Sequence, residues 1–214
     1  VASLQQALAR LGVSQPRPIA LMVVMRSDLY AVRGYEKELD EVFRLATVSA
    51  LFAQEIVRLR RSNVEEAFLT GLLHDIGEPV VLRLGVERLK EAQRAAGAAS
   101  PAVVREALAR SMAELHTDVG ARVTATWELP APLSESARRH HEADGGGNLV
   151  RTVMLADALT TCAFGRCTCA RAGDEAHHEP DVSDEVLGAL GIYPDHVEKL
   201  VARGRELVSA TGTL

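Results

Sequence analysis

The sequence predicts an all-α fold, and three observations carry that expectation. Apolar residues recur at helical spacing along nearly the whole chain. No window alternates apolar and polar residues well enough to form a strand. Helix-starting caps and helix-stopping glycines punctuate the stretches between the apolar rows. At 214 residues, 47% of them hydrophobic and 25% charged, the chain can bury a core without disulfide staples and is not disordered.

Element by element, Ser3-Leu4-Gln5-Gln6 reads as a capping box opening a short helix that stops at Leu11-Gly12. Pro16 and Pro18 then precede an apolar stretch from Ile19 to Tyr30. From Glu36 to Arg61 one long helix is expected. One apolar row on it runs Leu39, Val42, Phe43, Ala46, Ala50, Ala53, Val57; a second runs Leu45, Val48, Phe52, Ile56, Leu59. A helix apolar on two faces belongs at the centre of a fold. Asn63-Val64-Glu65-Glu66 caps the next helix, which carries Phe68, Leu69, Leu72 and Leu73 up to His74-Asp75, with Pro79 just beyond. Further helices are expected at about Val86 to Ala95, Pro101 to Leu115, Thr117 to Trp127, Ala131 to His141 and Leu149 to Cys162. Ser183 to Leu190 and Pro194 to Ser209 complete the series. Leu45, Leu72, Leu73, Trp127 and Leu155 are expected to be largely buried. Gly145-Gly146-Gly147 reads as a flexible loop, and the acidic stretch Arg166 to Asp184 as a mobile one. The expected organisation is a helical domain over 1–165, with the loop and C-terminal helices of 166–214 packed on it.

Composition narrows the function classes. A net charge of −5 argues against nucleic-acid binding by bulk charge, because phosphate contacts need a basic face. The longest clean apolar run, Ile19 to Met25, is too short to span a bilayer, so no membrane partner is expected. Three cysteines make no disulfide framework, which points to a reducing, cytoplasmic setting. Val1 is not a natural start, and residues before it are expected to have been removed.

The chemistry concentrates in His74-Asp75, His116, His140-His141 and Asp157. Imidazole and carboxylate are the ligand types for zinc, iron or manganese. Adjacent residues on a helix diverge by about 100°, so a His-Asp pair can present both side chains to one ion. Asp157 lies among Met154, Leu155, Ala156 and Leu159, and a buried carboxylate there needs a partner or a metal. Each of these residues taken singly could be satisfied by caps and backbone; the set, spread over several helices, points to a site.

The order His-Asp, His, His-His, Asp resembles the HD superfamily of metal-dependent phosphohydrolases, and more closely its HDOD branch (HD-related output domains) of bacterial signalling proteins. The resemblance is carried by Ser3-Leu4-Gln5-Gln6-Ala7, by Ala67-Phe68-Leu69-Thr70-Gly71-Leu72-Leu73-His74-Asp75-Ile76-Gly77, and by His116-Thr117-Asp118-Val119-Gly120. Trp127-Glu128-Leu129-Pro130, His140-His141 and Leu155-Ala156-Asp157 complete it. It implies an HD-like multi-helix bundle. It also implies two adjacent ion sites, one using a histidine on the long helix with His74, Asp75 and Asp157. The other would share Asp75 with His116, His140 and His141.

Three departures bear on function. The long-helix histidine position is Leu45, and no histidine occurs anywhere between Val1 and Leu73. The lysine that follows the His-Asp pair in relatives cleaving cyclic dinucleotides is here Glu78, which reverses the charge offered to a phosphate. The segment after His141 runs Glu142-Ala143-Asp144-Gly145-Gly146-Gly147-Asn148, without the Tyr-Pro of those relatives. The resemblance therefore implies one divalent transition metal (Zn, Fe or Mn), or none. It implies a non-catalytic signal-transduction module that binds a protein partner or a small ligand. The alternatives are a metal-dependent phosphohydrolase acting on nucleotides or cyclic dinucleotides, and a nucleotide sensor that does not hydrolyse its ligand.

Lesser signals read as structural. Cys162, Cys167 and Cys169, with His177-His178 downstream, fit no zinc-ligand spacing, and Cys162 reads as core. Arg58, Arg60 and Arg61 suit the negative end of a helix. Trp127 has no aromatic neighbour in sequence and reads as packing rather than a base-stacking platform.

Overall fold

The computed structural model describes residues 31–96, 100–142, 146–166 and 180–211. The helices expected before residue 31, Cys167, Cys169, His177-His178 and most of the acidic stretch lie outside the described residues. The described residues form helices and no strand. In chain order they are α1 (Glu36–Leu59), α2 (Val64–Leu73), α3 (Gly77–Ala96), α4 (Pro101–Thr126), α5 (Ala131–Arg139), α6 (Asn148–Ala163), α7 (Asp184–Leu190) and α8 (Pro194–Thr211). None of these helices is long and apolar enough to cross a membrane.

Local chemistry starts several of them. Asn63 Oδ1 accepts from the Glu65 and Glu66 amides at the head of α2. The Ser100 and Ser183 hydroxyls accept from Val103 and Val186 at the heads of α4 and α7. Gly191 ends α7 at φ 63°, the left-handed stop that glycine adopts without strain.

The helix α1 runs through the middle, against α2, α6 and α8. The stretch from Leu39 to Ala50 supplies Leu39, Val42, Phe43, Ala46 and Ala50 to one core, shared with Leu72, Leu73 and Ile76, with Leu82 and Val86 of α3, and with Leu108 of α4. The second half of α1 supplies Val48, Phe52, Ile56 and Val57 to another core, closed by Leu155 and Leu159 of α6 and by Val186, Leu190, Leu200 and Leu207 of α7 and α8. The pair α3 and α4 pack side by side in antiparallel register: a Cβ on Gly77 would lie 1.9 Å from the His116 carbonyl oxygen, and one on Gly85 2.5 Å from Leu108.

Four expectations need correction. Residues 101–126 form one helix with His116 inside it, because nothing between Leu115 and Thr117 interrupts the backbone ladder. The helix α3 starts at Gly77, not near Val86; Pro79 falls in its first turn, where a missing N–H costs no helical bond. Trp127 caps the end of α4 and is 40% exposed rather than buried. Leu45 is only half-buried and Leu59 is exposed, so the second apolar row of α1 is shorter than its spacing suggests.

Candidate metal centre

Four helices deliver the polar residues to one place. His74 and Asp75 occupy the single tight turn between α2 and α3, held by Ile76 N–H to Leu73 O (3.1 Å) and Glu78 N–H to Asp75 O (2.9 Å). His116 comes from the middle of α4, His140 and His141 from the end of α5, and Asp157 from α6. Two close approaches fix the turn: Gly77 lies against the backbone of α4, and Gly71 against α1, where a Cβ would meet the Ala50 Cα at 2.8 Å. Any side chain at either glycine would push the His-Asp turn away from its neighbours.

Each buried ring is aimed by its own helix. The Nδ1 atoms lie 2.8 Å (His74), 2.9 Å (His116) and 3.0 Å (His140) from the carbonyls of Gly71, Met112 and Ser136, three or four residues back. With Nδ1–H donated to a carbonyl, Nε2 carries a free lone pair, the form that ligates metals. Those Nε2 atoms converge on Asp75. His74 Nε2 is 3.0 Å from Asp75 Oδ2 and 3.7 Å from Asp157 Oδ1. Asp75 Oδ1 is 3.1 Å from His140 Nε2 and 3.6 Å from His116 Nε2. His141 Nε2 stands 3.1 Å from His116 Nε2. Despite these distances, His74 Nε2, His140 Nε2 and Asp75 Oδ1 are buried without a hydrogen-bond partner. Unpartnered buried donors of this kind are what a cation satisfies, and Asp75 stands between the two histidines.

The donors fall into two adjacent groups that share Asp75: Asp75, His116, His140 and His141 in one, and His74, Asp75 and Asp157 in the other. The first group, three imidazoles and a carboxylate, fits a four-coordinate divalent transition metal. The second has three donors. Asp157 is not buried among its apolar sequence neighbours as the sequence suggested; its side chain is 32% exposed and opens on a cavity.

The electrostatics follow from this crowding. Burial alone would lower the His74 pKa, but the Asp75 and Asp157 carboxylates outweigh it and hold the ring well above its ordinary value. Burial would raise Asp75, and His74 and His140 instead hold it well below the usual carboxylate range. Burial first, and the neighbouring His140 second, push His141 down to about 4, which keeps it neutral and able to ligate. Burial, reinforced by the Asp75 charge, pushes Glu78 up to about 8.

Two cavities flank the cluster. One, about 360 Å³, is lined by His140, His141, Asp157, Met154, Arg166 and Asp181 among others. The other, about 370 Å³, holds Glu78 on its wall. Arg166 on the first pairs with Glu41 on the second, so the two adjoin. Sequence reasoning missed the packing roles of Gly71 and Gly77, although glycines inside helical stretches beside a His-Asp pair were a readable signal. It also missed Arg166, Asp181 and Ser183 as cavity lining, for which the sequence carries no signal.

The described residues thus form an α-helical bundle with a convergent His/Asp cluster, a candidate metal centre. The HDOD domain family matches residues 1–143, and the chain belongs to that family. No curated protein matches it. Among solved structures, it is similar to a "putative phosphohydrolase" from Shewanella amazonensis SB2B, with a TM-score of 0.66 at 18% identity, covering 100% of this chain and 77% of that one. A "putative metal-dependent phosphohydrolase" from the same organism gives a TM-score of 0.62 at 20% identity, covering 96% of this chain and 71% of the other. At these identities the likeness shows a shared fold.

Proposed function

We propose that this chain is a non-catalytic signalling module. It keeps one divalent-cation site from a phosphohydrolase ancestry and binds a protein partner or a small ligand. The carrying observation is the inequality of the two donor groups: four ligands on one side of Asp75, three on the other. Leu45 stands where the resemblance calls for the missing histidine. A bound ion would act as a Lewis acid and lower the pKa of a coordinated water. His116, His140, His141 and Asp75 would hold it, with their Nδ1 bonds keeping the rings in place. A single ion does not clamp both the attacking and the leaving oxygen of a phosphoester. Glu78 stands where the resemblance calls for a lysine, so a carboxyl group replaces that cation.

One observation favours the enzymatic alternative. The four-donor group opens on a cavity that also carries Arg166, a cation that an anionic substrate could share with its partner Glu41. Metal analysis of the purified protein, followed by a manganese-dependent assay with cyclic di-GMP and simple nucleotides, separates the two. One ion per chain and no turnover above a His74→Ala, Asp75→Ala double mutant is the expected result. Metal-dependent turnover that the double mutant abolishes would replace the scaffold reading with the enzymatic one.

A further inference from the structure

We propose that the cavity between α1, α3 and α4 binds a small organic cation, a protonated primary amine on an apolar body, with Glu78 as its counter-ion. The inference goes beyond the reading above, because it requires no ion in the histidine cluster.

The wall of this cavity is mostly apolar: Val42, Leu82, Leu108, Ala109 and Met112 line it. It carries three carboxylates, and two of them are already neutralised. Glu38 pairs with Arg105, and Glu41 with Arg166. Arg105, the one cation among the lining residues, is committed three ways. It pairs with Glu38, donates to the Gly34 carbonyl at 3.2 Å and lies 5.0 Å over the Tyr35 ring. Glu78 has no hydrogen bond or ion pair to its carboxylate among the described residues; the charges that act on it are the Asp75 and Asp157 carboxylates and, with opposite sign, His74.

A half-buried carboxylate on an apolar wall is costly unless something pairs with it. Among the described residues no cation pairs with Glu78 in the cavity, and an occupant that carries one would supply the pair. An anionic ligand would face Glu78 with Asp75 and Asp157 behind it. A neutral apolar ligand would desolvate Glu78 further with nothing in return. An ammonium on a short hydrocarbon satisfies both features of the wall, the apolar area by burial and the carboxylate by a charge-assisted hydrogen bond. A volume of about 370 Å³ is at the small end of ligand cavities, roughly 300–1,000 Å³, which limits the occupant to a small molecule.

Three probes of one chain length test this by calorimetry on the protein as purified, at pH 8.5 where Glu78 is ionised: n-hexylammonium, hexanol and hexanoate. Hexylammonium should bind at least tenfold more tightly than hexanol, and hexanoate should not bind. Glu78→Gln should weaken hexylammonium at least tenfold and leave hexanol unchanged. Ala109→Phe, at an exposed helix position lining the cavity, should abolish binding of both without altering the thermal transition. Added chelator should leave the amine affinity unchanged. Hexanoate binding as tightly as hexylammonium, amine affinity surviving Glu78→Gln, absence of amine binding to the wild type, or binding that chelator abolishes would each overturn the proposal.

Discussion

Glu78 and His74 sit four residues apart across the turn between α2 and α3, burial acts on them in opposite directions, and both make predictions in pH. For Glu78, the folded value of about 8 lies above the ordinary 4.5. Below 4.5 both folded and unfolded chains hold the proton, and the residue contributes no pH dependence. Between 4.5 and 8 the unfolded carboxyl ionises while the folded one stays neutral, so stability falls as pH rises, and the loss is complete above 8. In metal-free protein, Glu78→Gln should therefore match the wild type at pH 4 and exceed it at pH 8.5 by on the order of 3 kcal/mol. Urea unfolding at the two pH values checks this; an equal gain at both would refute it. His74 lies outside the four-donor group, but its proton sets a positive charge 3.0 Å from Asp75 Oδ2, beside the carboxylate that group uses, and so opposes a cation there. Because the ring pKa is raised, apparent metal affinity should fall on acidification, by up to about tenfold per pH unit for each proton displaced. Competition with a chromophoric chelator at pH 6, 7 and 8 measures the slope.

At the scale of helices, two glycines make opposite predictions. Gly77→Ala places a methyl group 1.9 Å from the His116 carbonyl oxygen, against backbone that has no room to yield. It should destabilise the protein by about 3 kcal/mol or more and disperse the histidine cluster, lowering metal stoichiometry. Gly188, inside α7 with nothing within 4 Å of its would-be Cβ, should accept alanine with a gain of about 0.5–1 kcal/mol. Thermal unfolding of the two variants side by side decides the matter. Much of this scale was legible in the sequence. Asn63 is the cap its sequence suggests, a helix starts at Ser183 as expected, and the first apolar row of α1, from Leu39 to Val57, is buried throughout. The continuity of α4 through His116 and the early start of α3 were less legible. A histidine inside a helix looks like a boundary when it is read as a ligand, and Pro79 looks like a stop although it lies in a first turn. How closely Nε2 and carboxylate atoms converge depends on how α2, α4, α5 and α6 pack, and no local pattern encodes that.

Across the whole molecule, the two cores make the C-terminal helices part of the same folding problem as the site. Phe52 is fully buried, and a Cβ on Gly204 of α8 would lie 3.0 Å from its Cζ. Phe52→Ala should cost about 3–5 kcal/mol, although the residue is in the second core, away from the histidine cluster. Ending the chain after Arg166 would uncover Phe52, Ile56, Leu155 and Leu159 together. Such a chain should lose its cooperative thermal transition and associate on size exclusion, whereas a monomer with a native-like melt would show that 1–166 folds alone. The family match stops at residue 143, yet the second core draws on residues up to Leu207.

The helix α1 spans both cores as a rod of 24 residues, about 36 Å long. Neither core can open without releasing one half of it, and its backbone ladder breaks only when both have gone. Its central amide protons, near Val48 to Ala53, should therefore be among the slowest in the protein to exchange with deuterated solvent, at a rate set by global unfolding. Those at the ends of α8 should exchange sooner, through local fraying that leaves the rest of the molecule closed.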